Sequence, residues 1–391
     1  MRKLAFVIWL TAVLFFLLAS MGQGAQSARQ SKPRARDLGI PFDGTPGPLN
    51  AITDVKGIEV GYTTLISGEG KLKVGVGPVR TGVTAILPRG KESRDAVFAG
   101  WFSLNGNGEM TGAHWVEDSG FLDGPVMITN THSVGVVHDA VIEWKVKRGE
   151  ADMEGFWWSL PVVAETWDGY LNDVNGFHVT AQDAIHALDS AATGPVAEGN
   201  VGGGTGMICN EFKGGTGTSS RVLSAKEGGY TLGVLVQCNY GEREQLRIAG
   251  IPVGREIPGP KIWGDDTGSI IVVVATDTPL IPTQLKRLAR RVALGLGRDG
   301  SYSGGGSGDL FIAFSTANPK AISSKGLRNI TMLPNADLDP LFLATVQATE
   351  EAVINAMVAA ETMTGINNKT VPALPHDKLR EVLKKYDRLT K

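Results

Sequence analysis

GDDTGSIIVVVATD, residues 264–277, sets an unbroken apolar run, Ile270 to Ala275, directly behind a polar, glycine-bearing approach. A run of branched apolar residues without polar alternation reads as a strand buried on both faces. Such a strand needs a layer on each side, so the surrounding chain must supply further strands and covering helices. Gly268 and Ser269, at the threshold, raise a chemical question. A serine at a strand start is ordinary until the peptide bond before it is cut. It then carries a nucleophilic hydroxyl and a free α-amine on one residue. An α-amine with a pKa of about 7.7 to 8.0 can act near neutral pH as the base for that hydroxyl. Gly268, without a Cβ, tolerates the strained geometry in which the Ser269 oxygen attacks the preceding carbonyl.

Working outward, GIEVGYTTL, GVTAILP, PVMITNTH and TLGVLVQCNY are rich in Val, Ile and Thr and bounded by Gly, Pro or Asn, which predicts strands. GGGSGDLFIAFSTAN is a glycine turn opening another buried strand. A helix is expected over 181–192, capped by Thr180, and another over QLKRLARRVALGLG, with Leu285, Leu288, Ala289 and Val292 on one face. Its Lys286, Arg287, Arg290 and Arg291 read as a solvated face rather than a membrane-binding one. Further helices are expected over 339–364 and 376–389. Strands and helices in mixed order indicate an α/β or α+β sandwich of layers.

Met1 to Gly24 has Arg2 and Lys3, an apolar stretch from Leu4 to Leu18 and small residues after it, the pattern of a cleaved signal peptide. The apolar run is shorter than the roughly 20 residues of a spanning helix. A periplasmic or secreted protein is expected. Residues 25–45, polar and proline-bearing, suit an exposed arm; residues 46–391 show no composition break and read as a single catalytic domain. The 38 basic and 40 acidic residues are mixed along the chain for a net charge of -2, which leaves no electrostatic footprint for nucleic acid. Cys209 and Cys238 sit in apolar contexts and are expected to be buried free thiols, although a disulfide is chemically possible.

Of three glycine-rich stretches, GNVGGGTGM lacks the preceding strand and the spacing of a dinucleotide fingerprint and the Lys of a phosphate loop, so it reads as a tight structural loop. In GGGSGD, Ser307 and Asp309 are two residues apart and therefore on one side of their strand, a plausible relay pair. The fit to a nucleophile elbow is poor, because a strand follows instead of a helix. The histidines show neither H-x-x-x-H nor H-E-x-x-H spacing, so no metal site is expected, and acyl transfer through a serine needs no metal or organic cofactor. Glu165 in AETWDGYLND and Glu109 in NGNGEMTG lie in loop-like sequence, where a carboxylate lining a cleft would hold a substrate ammonium group.

Taken in order, RARDLGIPFDGTPGPLNAITDVKGIEVGYTTL, RTGVTAILPRG, SLNGNGEMTGAHW, ITNTHSVG, PVVAETWDGYLND, GNVGGGTGMICNEFKGGTGTSSR, GSIIVVVATDTPLIPTQLKRLARR, GSGDLFIAFSTAN and ALPHDKLREVL resemble the DmpA family of secreted aminopeptidases, peptidase family S58, and within it the β-peptidyl aminopeptidases. The resemblance implies a four-layer αββα fold of the N-terminal-nucleophile kind, shared with ornithine acetyltransferases, and a chain that cuts itself between Gly268 and Ser269. It implies pieces 46–268, with the arm, and 269–391, held together and assembled into a homo-oligomer. By the same resemblance Ser269 is the nucleophile and Ser307 hydrogen-bonds near it. Asp309 takes the acidic position beyond, Asn239 stabilises the oxyanion, and Glu165 recognises the free amino terminus. Trp167 stands where a Tyr is expected, so a contact from it to the oxyanion would run through the ring nitrogen or be lost. The implied substrates are small peptides, amides or esters with a free amino terminus.

Two other functions fit parts of the pattern: an acyltransferase of the ornithine acetyltransferase type, and an uncleaved binding protein. The first uses Thr as nucleophile in a cytosolic setting, against Ser269 and the signal peptide here. The second would keep a single intact chain.

Overall fold

The apolar run lies in a central strand, Thr267–Thr276, with every side chain from Ile270 to Ala275 buried. It belongs to a computed structural model that describes residues 32–150, 157–262, 267–322 and 325–390. The compact unit described below begins at Arg34. The expected signal peptide lies outside the described residues.

In chain order the principal strands are β1 (Glu59–Ser67), β2 (Val79–Leu87), β3 (Val97–Gly106), β4 (Phe121–Leu122), β5 (Val126–Asn130), β6 (Val162–Thr166), β7 (Ile208–Cys209), β8 (Phe212–Lys213), β9 (Gly215–Val222), β10 (Thr231–Asn239), β11 (Thr267–Thr276) and β12 (Gly306–Ser315). The helices are α1 (Ala113–Ser119), α2 (Val134–Lys147), α3 (Ala181–Asp189), α4 (Val253–Glu256), α5 (Pro282–Arg298), α6 (Asp339–Val358) and α7 (His376–Lys385). One sheet has the order β1-β2-β5-β6 and the other β4-β3-β12-β11-β10-β9. β5 pairs parallel to β6, and β11 parallel to β12; α2 and α5 make the two crossovers that parallel pairing requires.

Strand alternation separates the layers. Ile271, Val273 and Ala275 of β11, with Leu310, Ile312 and Phe314 of β12, face Ile86, Ile128, Val162 and Ala164 of the smaller sheet. The intervening residues Ile270, Val272, Val274, Phe311 and Ala313 pack under Leu285, Leu288, Val292, Leu341 and Val353 of α5 and α6. The smaller sheet's outer face, with Val83, Ala85, Met127 and Val163, is covered by Val137, Val141, Ala184 and Leu188 of α2 and α3. The result is helix, sheet, sheet, helix, an α+β sandwich in four layers.

Several expectations change. The helices end earlier than periodicity suggested, at Asp189, Val358 and Lys385. The basic residues of α5 are not simply solvated: Lys286 pairs with Glu117 at 2.5 Å, Arg287 and Arg291 lie over the Phe342 ring, and Arg290 lies over Phe102. The cysteines are not free thiols. β7 packs beside the end of β10, the Cα atoms of Cys209 and Cys238 come within 5.7 Å, and the two form a disulfide.

The segment expected as an exposed arm is, from Arg34 on, part of the body. Ala35, Leu38 and Ile40 are buried against the larger sheet's helical layer. Arg36 reaches Glu351 of α6 at 2.7 Å, and the buried Arg221 meets the same carboxylate at 2.8 Å. Burial opposes the Glu351 charge, but the bond from Arg36 and the Arg221 and Arg36 charges prevail and hold its carboxyl below the usual range. Glu351→Ala would leave the Arg221 guanidinium buried without its counter-ion. Chemical denaturation is expected to show a loss of about 3 kcal/mol or more.

Candidate active site

The layer between the sheets turns from apolar to polar at one end. Along β10 the inward face runs from Leu235 through Gln237 to Asn239, and along β11 from Ile271 back to Ser269. Asn239 and Ser269 are directly opposed in the antiparallel register, which places their side chains on the same face. Both are buried.

Gly268 makes that pairing possible. Its φ of 146° lies outside the range that residues with a Cβ adopt readily, and an added Cβ would fall 2.2 Å from the Asn239 carbonyl oxygen. The Ser269 hydroxyl donates to the Gly268 carbonyl oxygen at 2.6 Å, so the hydroxyl lies against the peptide group expected to be cut.

The Asn239 amide is held at both ends. Its Oδ1 accepts the Ile208 N–H at 2.8 Å, and its Nδ2 donates to the Trp167 carbonyl at 2.9 Å. With Oδ1 engaged by a backbone donor, the amide orientation is fixed, and Nδ2 keeps a second hydrogen. Trp167 therefore reaches the site through its main chain, a link that the sequence comparison of side chains did not anticipate. Its ring lies over Gly169, where an added Cβ would come within 2.8 Å of Nε1, and it is 41% exposed.

On β12, Ser307 pairs with Gly268 and Gly308 with Ser269. Alternation sends the Ser307 and Ser269 side chains to opposite faces of the sheet. The Ser307 hydroxyl donates to Asp309 Oδ1 at 2.6 Å. The expected serine–carboxylate pair is therefore present, and it flanks the Gly268–Ser269 peptide in register without bonding to the Ser269 hydroxyl.

Glu165 is on strand β6, buried, not in the loop that the sequence suggested. Its Oε1 accepts the Glu109 N–H at 3.0 Å, and its Oε2 accepts the Thr131 hydroxyl. Burial raises its pKa; the bonds from Thr131 and Glu109 N–H offset this only in part, and the Glu109 charge adds to it. The glycine loop after β3 joins this carboxylate to the serine. A Cβ built on Gly108 would lie 3.4 Å from Glu165 Oε1 and 3.3 Å from the Cα of Gly308, the residue paired with Ser269.

Three contributors were not singled out from sequence. Gln237 donates to the Thr129 carbonyl at 3.0 Å and to the Thr166 hydroxyl at 2.8 Å, tying the two sheets at the polar end. Gly203, in the glycine-rich loop before β7, leaves room for it: a Cβ there would fall 2.1 Å from Gln237 Oε1. Asp168 is buried beside Trp167, accepts from Asn172 Nδ2 at 3.0 Å, and burial pushes its carboxyl up to about 7. A polar residue inside an apolar strand, as in LVQCN, was the available signal for Gln237.

The sequence profile of peptidase family S58 matches residues 50–371. The chain belongs to that family. It is 57% identical over 381 residues to the β-peptidyl aminopeptidase BapA of Sphingosinicella microcystinivorans, covering 93% of this chain and 95% of that protein. It is 50% identical to BapA of Sphingosinicella xenopeptidilytica, covering 96% and 97%. Among solved structures, the L-aminopeptidase D-Ala-esterase/amidase of Ochrobactrum anthropi superposes with a TM-score of 0.86 at 52% identity, over 92% of this chain and all of that one. That enzyme is described as a prototype of the serine aminopeptidases and a variant of the Ntn hydrolase fold. The family member described here is accordingly a hydrolase of the aminopeptidase class with an Ntn-type α+β fold.

Proposed function

We propose that this S58 peptidase is a secreted or periplasmic β-peptidyl aminopeptidase that matures by cutting itself between Gly268 and Ser269. The observation that carries the proposal is the cross-strand pair of Ser269 and Asn239, with the Ser269 hydroxyl already against the Gly268 carbonyl. In maturation the Ser269 oxygen attacks the Gly268 carbonyl carbon and the C–N bond breaks, giving an ester that water hydrolyses. The products are a Gly268 carboxylate and a free amine on Ser269. Location rests on Met1 to Gly24, and assembly of the two-piece unit into a homo-oligomer on family likeness.

In turnover the Ser269 hydroxyl attacks the first amide carbonyl of a bound peptide while its own amine takes the proton. The second hydrogen of Asn239 Nδ2 stabilises the tetrahedral oxyanion, a donor of the kind worth about 3 kcal/mol of barrier. The amine returns the proton to the leaving nitrogen, and water clears the acyl ester. Ser307 and Asp309 act on the amine rather than the hydroxyl. Ser307 is in register with Gly268, whose carbonyl carbon is bonded to the Ser269 nitrogen, whereas the Ser307 and Ser269 side chains leave by opposite faces. The substrates proposed are peptides, amides or esters whose first residue, a β-amino acid or a small L-residue, has a free amino group. Glu165 pairs with that group, and the Trp167 ring, exposed at the rim, bears on which residues fit.

Intact-mass analysis of the purified protein tests maturation: two fragments are expected, the second starting at Ser269. One uncut chain, or another internal start, contradicts the proposal. Ser269→Ala should stay whole, folded and inactive.

Recognition of the amine is tested through charge. Glu165→Gln keeps the shape and is expected to lower kcat/KM for free-amine substrates by roughly 1.5 to 3 kcal/mol of charge-assisted bonding. Because burial raises the Glu165 pKa, the carboxylate is lost on acidification at a higher pH than for an ordinary Glu. The Glu165 component of the wild-type acid limb should move accordingly and be absent in Glu165→Gln, which keeps the limb set by the Ser269 amine. N-acetylated substrates should be poor. Equal turnover of blocked and free substrates contradicts the assignment.

A further inference from the structure

We propose that the Cys209–Cys238 disulfide is a positioning element of the reaction. It acts through Asn239, holding that amide in the orientation that offers a hydrogen to the oxyanion. The inference rests on the proposed role of Asn239.

Three successive links join β7 and the residue after it to the end of β10. Ile208 N–H donates to Asn239 Oδ1 at 2.8 Å, Cys209 is bonded to Cys238, and Asn210 N–H donates to the Tyr240 carbonyl at 2.7 Å. The covalent link thus sits between the two hydrogen bonds, one residue from the donor that fixes Asn239 and one residue from Asn239 itself. All of these residues are buried.

A primary amide has two ends of similar shape and opposite polarity. Turned one way, Asn239 presents an N–H to a developing oxyanion; turned the other way, it presents an oxygen that repels it. The choice is set by the Ile208 N–H on one side and the Trp167 carbonyl on the other. The Ile208 donor rides on a short, buried element. β7 and β8 form a two-residue hairpin whose turn residues, Asn210 and Glu211, have φ of 48° and 57°. The hairpin is bonded to itself and to its surroundings: Lys213 Nζ reaches the Met207 and Gly214 carbonyls at 2.7 and 2.9 Å, Lys213 N–H donates to the Pro372 carbonyl at 2.8 Å, and the Arg243 guanidinium donates to the Glu211 carbonyl and lies over the Phe212 ring. The disulfide ties the hairpin to the strand that carries Asn239. Small displacements of a preorganised donor are costly in rate, because its benefit depends on being in place before charge develops.

The test begins with peptide mapping under non-reducing conditions, which should recover Cys209 and Cys238 joined; free thiols there would overturn the proposal. The double variant Cys209→Ala/Cys238→Ala is then compared with the wild type well below its unfolding temperature. Its kcat is expected to fall about fivefold to tenfold with KM held within about twofold, the signature of an interaction used in the transition state. In an Asn239→Ala background, the same cysteine changes should lower kcat no further, since the group they position is gone. A disulfide that served stability alone would shift the unfolding midpoint and leave kcat unchanged. Wild-type kcat in the cysteine variant, or an equal loss with and without Asn239, overturns the inference. If Asn239→Ala alone kept wild-type kcat, the oxyanion role would fall and this inference with it. Normal kcat in the cysteine variant beside a slowed Asn239→Ala would remove only the disulfide's role. Cys209→Ser/Cys238→Ser, closer in volume, gives the same readouts should the alanine pair fail to fold.

Discussion

The register between β10 and β11 is the constraint on which the site depends. A shift of one residue would turn Asn239 and Ser269 to opposite faces, because strand side chains alternate. The register is held by the apolar residues further along both strands. Leu235, Ile271 and Val273 must face the smaller sheet, while Val234, Val236, Ile270 and Val272 must face α5 and α6. A strand buried on both sides has no face that can tolerate a slip. The chemistry at the threshold is therefore aligned by a core that takes no part in it, and Gly268 is the residue that lets the two backbones approach there.

Much of this was legible in the sequence, for physical reasons that differ between elements. The run Ile270–Ala275 has one interpretation, and it correctly demanded layers on both sides. Ser307 and Asp309, two apart on a strand, had to share a side, and they are hydrogen-bonded. Helix ends were overextended because apolar residues continue past the last helical turn in the chain after Val358. Glu165 looked like loop because β6 is short and is followed at once by polar residues, whereas its burial arises from strands and loops distant in sequence. The docking of Ala35, Leu38 and Ile40 was equally invisible, since the fully buried residues of the cluster they join otherwise begin at Cys209. Cys209 and Cys238 gave no pairing signal on their own. Only the placement of β7 beside β10 brings them together.

The electrostatics of the site follow from its location. The polar end of the inter-sheet layer is nearly as dry as the rest of it, so carboxyl groups placed there resist ionisation: Glu165 and Asp168 both have raised pKa values, with burial as the leading cause. Under the proposed function, a substrate ammonium beside Glu165 would restore the favourable balance, and charge recognition would be strong where solvent is excluded. The same dryness favours an oxyanion donor whose orientation is fixed beforehand. Membership in peptidase family S58 and the likeness to the β-peptidyl aminopeptidases fit a buried polar site that brings together a serine, a fixed amide and a carboxylate.

The division of labour between the two serines is the central claim, and it can be read by covalent labelling. A serine-directed acylating inhibitor, followed by peptide mapping, should modify Ser269 and leave Ser307 free. Ser307→Ala should slow turnover without abolishing labelling at Ser269 in the cleaved protein. Labelling at Ser307 would contradict this division and return Gly268-Ser269 to the status of an ordinary strand start.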